Sequence, residues 1–354
     1  MFLALKEMTY SKLRYTLIIG IMFLISLVVF LLSGLANGLS TEFRQVIDQW
    51  DAKEIVLSEE SNKVLAASQL SMEDLEFVSS NDKSPLGIYS SAIGDSSDKT
   101  NITFFGTTTD AFFLPEMTHG EPFKKENEVV ISQNLADKGY DIGDTITLGS
   151  EETPVKVVGI FPETSYVVTP VMYGSVKVVA ELKFGKQMVA QNENFPINAI
   201  LTNSTTNLDS DHLVGLSTQE LIENLPGYSE QSLTLNAMIY FLFVIAAAVI
   251  AIFMYVITLQ KTAIFGVMKV QGINTWFISK SIIAQSFLVG VFGVVLAAVV
   301  TYGLSFVFPA AMPFAIDIKQ WLIYGVILII VSIIGGLFST ITVNKVDPIN
   351  AIGG

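Results

Sequence analysis

The chain has 354 residues, 51% of them hydrophobic and only 15% charged, with 33 acidic against 20 basic side chains. That composition excludes an ordinary soluble protein, and the acidic balance gives no basis for nucleic-acid binding. The complete absence of cysteine excludes disulfides, thiol catalysis and cysteine-ligated metal sites, and fits a bacterial envelope.

Residues 1–14, MFLALKEMTYSKLR, set Phe2, Leu3, Leu5, Met8 and Leu13 among Lys6, Glu7, Lys12 and Arg14. The pattern predicts an amphipathic helix in the cytoplasmic interface, its basic groups turned to membrane lipid headgroups or to a partner. A plain positive-inside anchor has the same composition. Residues 15–38 follow as a first span, with an apolar window from Tyr15 to Leu35. This window is longer than the core of a secretory signal, so an uncleaved span is expected despite the small residues of SGLANGLS. Ser33, Gly34, Ala36 and Gly38 permit close helix approach, either inside one chain or along a seam between two copies.

Residues 39–233 have the composition of a folded domain, with 30 Asp and Glu against 12 Lys and Arg, so the acidity of the chain resides here. SMEDLEFVSS predicts a short helix capped by Ser71, and NITFFGTTTDAFF is rich in strand formers. The stretch from Asn127 predicts a strand at Val129–Ser132, a helix at Gln133–Lys138, a turn at Gly143–Asp144, and strands at Thr145–Leu148 and Val155–Ile160. A helix from Ser217 is stopped by Pro226–Gly227. The domain is therefore α+β.

Three more spans are expected at 234–259, 278–304 and 321–342, separated by a connection at 260–277, a loop at 305–320 and a tail at 343–354. Each apolar window holds about 20 residues or more, enough to cross a hydrocarbon core of about 30 Å as a helix. Lys6, Lys12 and Arg14 precede the first span; Lys261, Lys269 and Lys280 bracket the second connection; Lys345 lies in the tail. The third-to-fourth loop has only Lys319, balanced by Asp317. By the positive-inside rule both termini and the 260–277 connection are cytoplasmic and the large domain is extracellular.

Enzymatic constellations are missing. The only Gly-Lys pair, Gly185–Lys186, is followed by Gln187, so no phosphate-binding loop exists. His119 and His212 lack paired metal spacing; DSDH could hold a cation through Asp209, Asp211 and His212, but a solvated acidic loop explains it far better. The spans lack buried Asp, Glu, Lys or Arg of the kind that marks a proton- or sodium-coupled carrier. Any transport by this chain needs an energy source elsewhere.

Three stretches resemble one family. NEVVISQNLADKGYDIGDTITLG followed by PVKVVGIF is similar to the external-domain segment of the MacB/FtsX class of ABC-transporter permeases. LQKTAIFGVMKVQGINTWFISKSIIAQS resembles the loop between its second and third spans, and NKVDPINAIGG its carboxyl end. The class often carries Arg-Glu and a further arginine in that loop, where this chain has Gln260–Lys261 and Lys269–Val270, so ion pairing with a partner is thinner. The resemblance implies a membrane α-helical fold with four transmembrane helices and a large extracellular α+β domain between helices 1 and 2. It further implies a non-catalytic subunit, a homodimer in a bacterial plasma membrane, and two copies of a cytoplasmic ABC ATPase. Within the class, length and both termini look most like haem-exporting permeases of Gram-positive bacteria, which implies haem as transported ligand and no permanently bound cofactor.

Haem iron accepts Met, Tyr and carboxylate ligands as well as His and Cys. On that implication the candidates are Met22, Met72, Tyr166, Tyr173, Glu223, Tyr228 and Glu230, with Met22 and the 223–230 group meeting near the outer leaflet if spans 1 and 2 pack together. Each also has an ordinary use as packing, interfacial aromatic or solvated charge. The helix Gln260–Val270 and the turn at Gly272 are expected to seat in a groove of the ATPase, with Val267, Met268 and Val270 as apolar contacts and Lys261 and Lys269 as charges. A tight cytoplasmic turn is the simpler alternative. Extrusion of antimicrobial peptide or lipid, or transmission to a cell-wall hydrolase or sensor, are the other functions consistent with the class.

Overall fold

The structure is a computed structural model that describes residues 2–345 except 81, 95–98, 150–152, 191–193 and 310–311, with side chains described within 6–341. The carboxyl-terminal motif beyond Lys345 lies outside the described residues. Two compact units divide the chain, Met1–Gly38 with Ser232–Gly354 and Leu39–Gln231.

The first unit is a helical bundle. Helix α1 covers Phe2–Tyr10 and α2 runs from Lys12 to Gln49. At about 1.5 Å per residue, the 38 residues of α2 are nearly twice as long as a hydrocarbon core is thick. The helix therefore continues past the predicted end of the span, and its last residues, from Leu39, belong to the interposed unit. The remaining spans are α7 (Tyr228–Gln260), α9 (Thr275–Ser305) and α10 (Ile318–Lys345), with the short α8 (Thr262–Val270) between the first two. Four helices are thus long and apolar enough to cross a membrane, in the predicted order.

Small residues set the bundle's spacing. A Cβ on Gly293 of α9 would stand 2.7 Å from Met22 Cγ of α2, and one on Gly335 of α10 would press on the Ala247 carbonyl of α7 at 3.0 Å. Hydroxyls bind the helices where backbones come close: Ser332 donates to the Ser286 carbonyl at 2.7 Å and Ser339 to the Met254 carbonyl at 2.9 Å. The glycines of SGLANG are used inside the same chain. A methyl group on Gly34 would strike the Phe314 ring and one on Gly38 the Pro313 carbonyl. The Ala315 amide donates to the Gly34 carbonyl at 3.0 Å, and Asn37 Nδ2 to the Ala315 carbonyl at 3.2 Å. Gly34 and Gly38 are therefore packed against the loop before α10.

The interposed unit is α+β, as expected. Its strands are β1 (Glu54–Ser58), β2 (Leu70–Ser71), β3 (Lys83–Ile93), β4 (Thr100–Thr107), β5 (His119–Gly120), β6 (Glu128–Ser132), β7 (Thr145–Leu148), β8 (Thr153–Phe161), β9 (Ser165–Tyr166), β10 (Thr169–Ser175), β11 (Pro196–Ile197), β12 (Ala199–Thr202) and β13 (Leu213–Leu216). Helices α3 (Gln133–Ala136), α4 (Val176–Phe184), α5 (Lys186–Ala190) and α6 (Thr218–Glu223) join them. The main sheet runs β13-β1-β12-β3-β4-β10-β6-β8-β5, with parallel pairing only for β4–β10 and β6–β8. Trp50, fully buried at the end of α2, donates its indole N–H to the Tyr173 hydroxyl at 2.9 Å and meets Phe105 edge-on. An aromatic core of this kind ties the end of α2 to the sheet.

Local chemistry explains the short helices. Ser217 and Glu220 form a reciprocal capping box that starts α6. The Ser71 helix is a 3₁₀ helix, Met72–Phe77, in which Asp74 accepts from the Ser71 amide at 2.7 Å. The β9–β10 turn is unusual, because Val167 and Val168 both take left-handed φ, 47° and 63°. β-Branched residues avoid that region. Here the two amides donate to the Phe43 and Glu42 carbonyls of α2, each at 3.1 Å, which holds the strained tip in place.

Candidate coupling site

Between α7 and α9 the chain turns twice. The first break is at Lys261, which belongs to neither α7 nor α8 and whose amide donates to the Thr258 carbonyl at 3.1 Å. The expected helix over Gln260–Val270 is thus two helices, with Gln260 ending one and Thr262 beginning the next. The second break is a Schellman ending. Gly272 has φ +84°, its amide donates to the Lys269 carbonyl, and the Ile273 amide donates to Met268, both at 3.0 Å. Nothing stands within 4 Å of a Cβ at Gly272, so the backbone alone selects glycine there. Two residues later Asn274 caps α9, its side chain accepting from the Trp276 amide at 2.9 Å.

This geometry divides the residues of α8 between two faces. Ile264, Val267 and Val270, spaced by three, remain 57%, 43% and 62% exposed. Phe265 is buried and Met268 packs with Ile273 against the bundle core. Met268, expected as a partner contact, is thus partly buried against the bundle, and its carbonyl accepts the bond that closes the Schellman ending. Lys261 likewise turns its ammonium inward, to Glu7 Oε2 at 3.2 Å. Ile264, which the sequence reading left out, takes their place on the outward face. Helical spacing from Val267 and Val270 would have found it, had the helix start been known. Lys269 lies partly buried in the last turn of α8.

Tyr166 and Tyr173 share one core, with Tyr228 packed against it, while the other proposed haem ligands lie elsewhere. Met22 is fully buried against Gly293, in the interior of the bundle. Tyr173 and Tyr166 lie in the core of the interposed unit, where burial pushes both hydroxyls above the ordinary tyrosine pKa and so disfavours the phenolate that iron binds. Met72 packs with Leu70 and Ile197 on a separate cluster. All four serve as packing residues in this structure. Only the 223–230 stretch is open: Glu223 and Glu230 are exposed, and Tyr228 is half-buried. The Tyr228 hydroxyl lies 3.0 Å from Ser40 Oγ of α2 and its ring 6.1 Å from that of Phe43, so the segments flanking the first two spans do meet here. His212 of DSDH is taken by Asp74, at 2.9 Å, and among the described residues no group of three His, Cys, Asp or Glu could hold a metal ion.

One concavity escaped the sequence reading because its lining comes from three helices. A cavity of about 490 Å³ lies among Phe30 of α2, Val294, Ala298 and Tyr302 of α9, and Trp321 and Gly325 of α10. The Trp321 indole N–H is buried and has no hydrogen-bond partner among the described residues.

Residues 16–222 match the MacB-like periplasmic core domain, and residues 236–348 match the FtsX-like permease C-terminal domain. A protein of Staphylococcus haemolyticus bearing the name of a hemin transport system permease, HrtB, is 32% identical over 99% of both chains. An uncharacterised ABC transporter permease of Mycobacterium tuberculosis is 24% identical over 100% of this chain and 99% of its own. The periplasmic region of MacB from Actinobacillus actinomycetemcomitans is similar at 12% identity and a TM-score of 0.34, covering 50% of this chain and 94% of that one. With four spans around an interposed α+β unit and both family domains in order, the chain belongs to the MacB/FtsX class of ABC-transporter permeases.

Proposed function

We propose that this chain is the membrane subunit of an ATP-driven exporter whose cargo is haem, and that it acts as a homodimer with two copies of a cytoplasmic ATPase. Permeases of this class work with an ABC ATPase, and the chain carries no phosphate loop of its own. The observation that carries the cargo is the near full-length relationship to a permease named for hemin transport. The outward apolar stripe Ile264–Val267–Val270, set between two fixed helix breaks, supports α8 as the element seated in the ATPase. Both termini and α8 then face the cytoplasm, the interposed unit faces outward, and lipid surrounds the four spans. Movement of α8 passes through α7 and α2 to the segments joined at Ser40 and Tyr228.

In this reading the exposed segment Glu223, Tyr228 and Glu230 is the haem contact retained from the seven candidates. Haem added to the purified chain is expected to give a Soret band that saturates at a fixed stoichiometry and weakens on Tyr228→Phe with Glu230→Gln. No band at stoichiometric haem sinks the cargo assignment and leaves peptide or lipid extrusion. ATP-independent control of an outside partner would favour a signal transmitter.

A further inference from the structure

Three helices, α1, α2 and α9, converge on the break that starts α8. Glu7 of α1 places Oε2 3.2 Å from Lys261 Nζ, and the same oxygen accepts from Gln285 Nε2 of α9. Gln285 Oε1 in turn accepts from the Tyr15 hydroxyl of α2 at 2.5 Å. The Lys261 ammonium also stands 5.8 Å from the centre of the Tyr15 ring. Tyr15 and Gln285 are fully buried, while the Lys261 and Glu7 side chains keep 13% and 24% exposure. Outside residues 39–233 the chain has just three acidic residues, Glu7, Asp317 and Asp347, so this carboxylate is no sample from an acidic face. Bringing two charges together under such cover is costly unless they are satisfied, and here Glu7 Oε2 meets both the Lys261 ammonium and the Gln285 amide.

We propose that Glu7 and Lys261, completed by Gln285 and Tyr15, form a latch that makes α1 part of the coupling element. When α8 is displaced, α1, the start of α2 and the start of α9 travel with it as one body. Lys261 is a positioning residue: it touches neither cargo nor nucleotide and acts by fixing α1 to the hinge. The proposal rests on the reading of α8 as the ATPase contact, and the experiment separates the two.

The test uses the full chain with its ATPase in lipid nanodiscs and reads ATPase co-purification and permease-stimulated ATP hydrolysis. Glu7→Lys and Lys261→Glu should each lower the stimulation on the order of tenfold while the ATPase still co-purifies, and the double exchange should restore most of it. Because the chain has no cysteine, Glu7→Cys with Lys261→Cys supplies the only two thiols. A short, cleavable thiol–thiol bridge should recover stimulation that the unbridged pair lacks, and reductant should abolish it again. The same folded sample serves both states, so misfolding cannot produce the result. Full stimulation in the single reversals, or a bridged protein that stays uncoupled, overturns the latch. An unaltered chain that neither binds nor stimulates the ATPase overturns the coupling reading instead.

Discussion

Val267→Asp is the sharpest probe of how α8 engages its partner. Ile264, Val267 and Val270 are each roughly half exposed, and complete burial of such a side chain is worth about 1.5–3 kcal/mol. Docking that covers the exposed half therefore draws about 1 kcal/mol from each. The aspartate deletes Val267's share and leaves an unpaired carboxylate in an apolar contact, which adds several kcal/mol. Even at about 3 kcal/mol in total, the ATPase should bind on the order of 100-fold more weakly. Titration of purified ATPase against the nanodisc-embedded permease, followed by stimulated ATP hydrolysis, reads this directly. Met268→Ala is the matched control, because Met268 faces the bundle. It should cost the chain about 1–2 kcal/mol of stability while leaving ATPase affinity within a few-fold. Unchanged binding by Val267→Asp, or equal weakening by Met268→Ala, would refute the division of α8 into an outward and an inward face.

Two further predictions concern single backbone and side-chain positions. Gly272→Ala should destabilise the α8–α9 turn by about 1 kcal/mol and Gly272→Asn by less, since space is free and only the left-handed φ resists a side chain; equal thermal shifts for the two variants would contradict this. At Asp74, burial works to raise the carboxyl, but hydrogen bonds from Ser71 and His212 outweigh it and hold the pKa below the ordinary carboxylate range. A lowered folded pKa contributes stability above the unfolded value of about 4 that is lost as pH falls through the folded value. Amide exchange around Met72–Phe77 in the full chain should therefore speed up as pH drops below about 4, after correction for intrinsic rates, and Asp74→Asn should flatten that dependence.

The spans and the α+β nature of the interposed unit were legible because each rests on local regularities. A span needs an unbroken apolar window, and the Glu128–Phe161 stretch carries its turns in Gly143 and Asp144. Gly272 was legible for the same reason, since a left-handed residue must be flanked by helices that cannot continue through it. The inward or outward facing of α8 was not legible. It depends on where the helix begins, and the start is fixed by Lys261 binding a residue more than 250 positions earlier in the chain. Ligand candidates were ambiguous for a related reason. Met22, Tyr166 and Tyr173 are residue types that bind iron and equally well fill cores, and only the burial of each decides between the two uses.

Nothing local compels the break at Lys261. Gln260 and Lys261 are good helix formers, and neither proline nor glycine lies between Ile257 and Phe265. A continuous helix would keep a regular backbone bond worth about 0.5–1.5 kcal/mol net. Removing one partner of a buried charge pair costs about 3–5 kcal/mol, and the partial exposure of Glu7 lowers that without reversing the order. The tertiary contact therefore outweighs the local preference at Lys261. On this balance the break before α8 goes with the α1 contact, so the position of α8 and the docking of the amino-terminal helix are one structural fact.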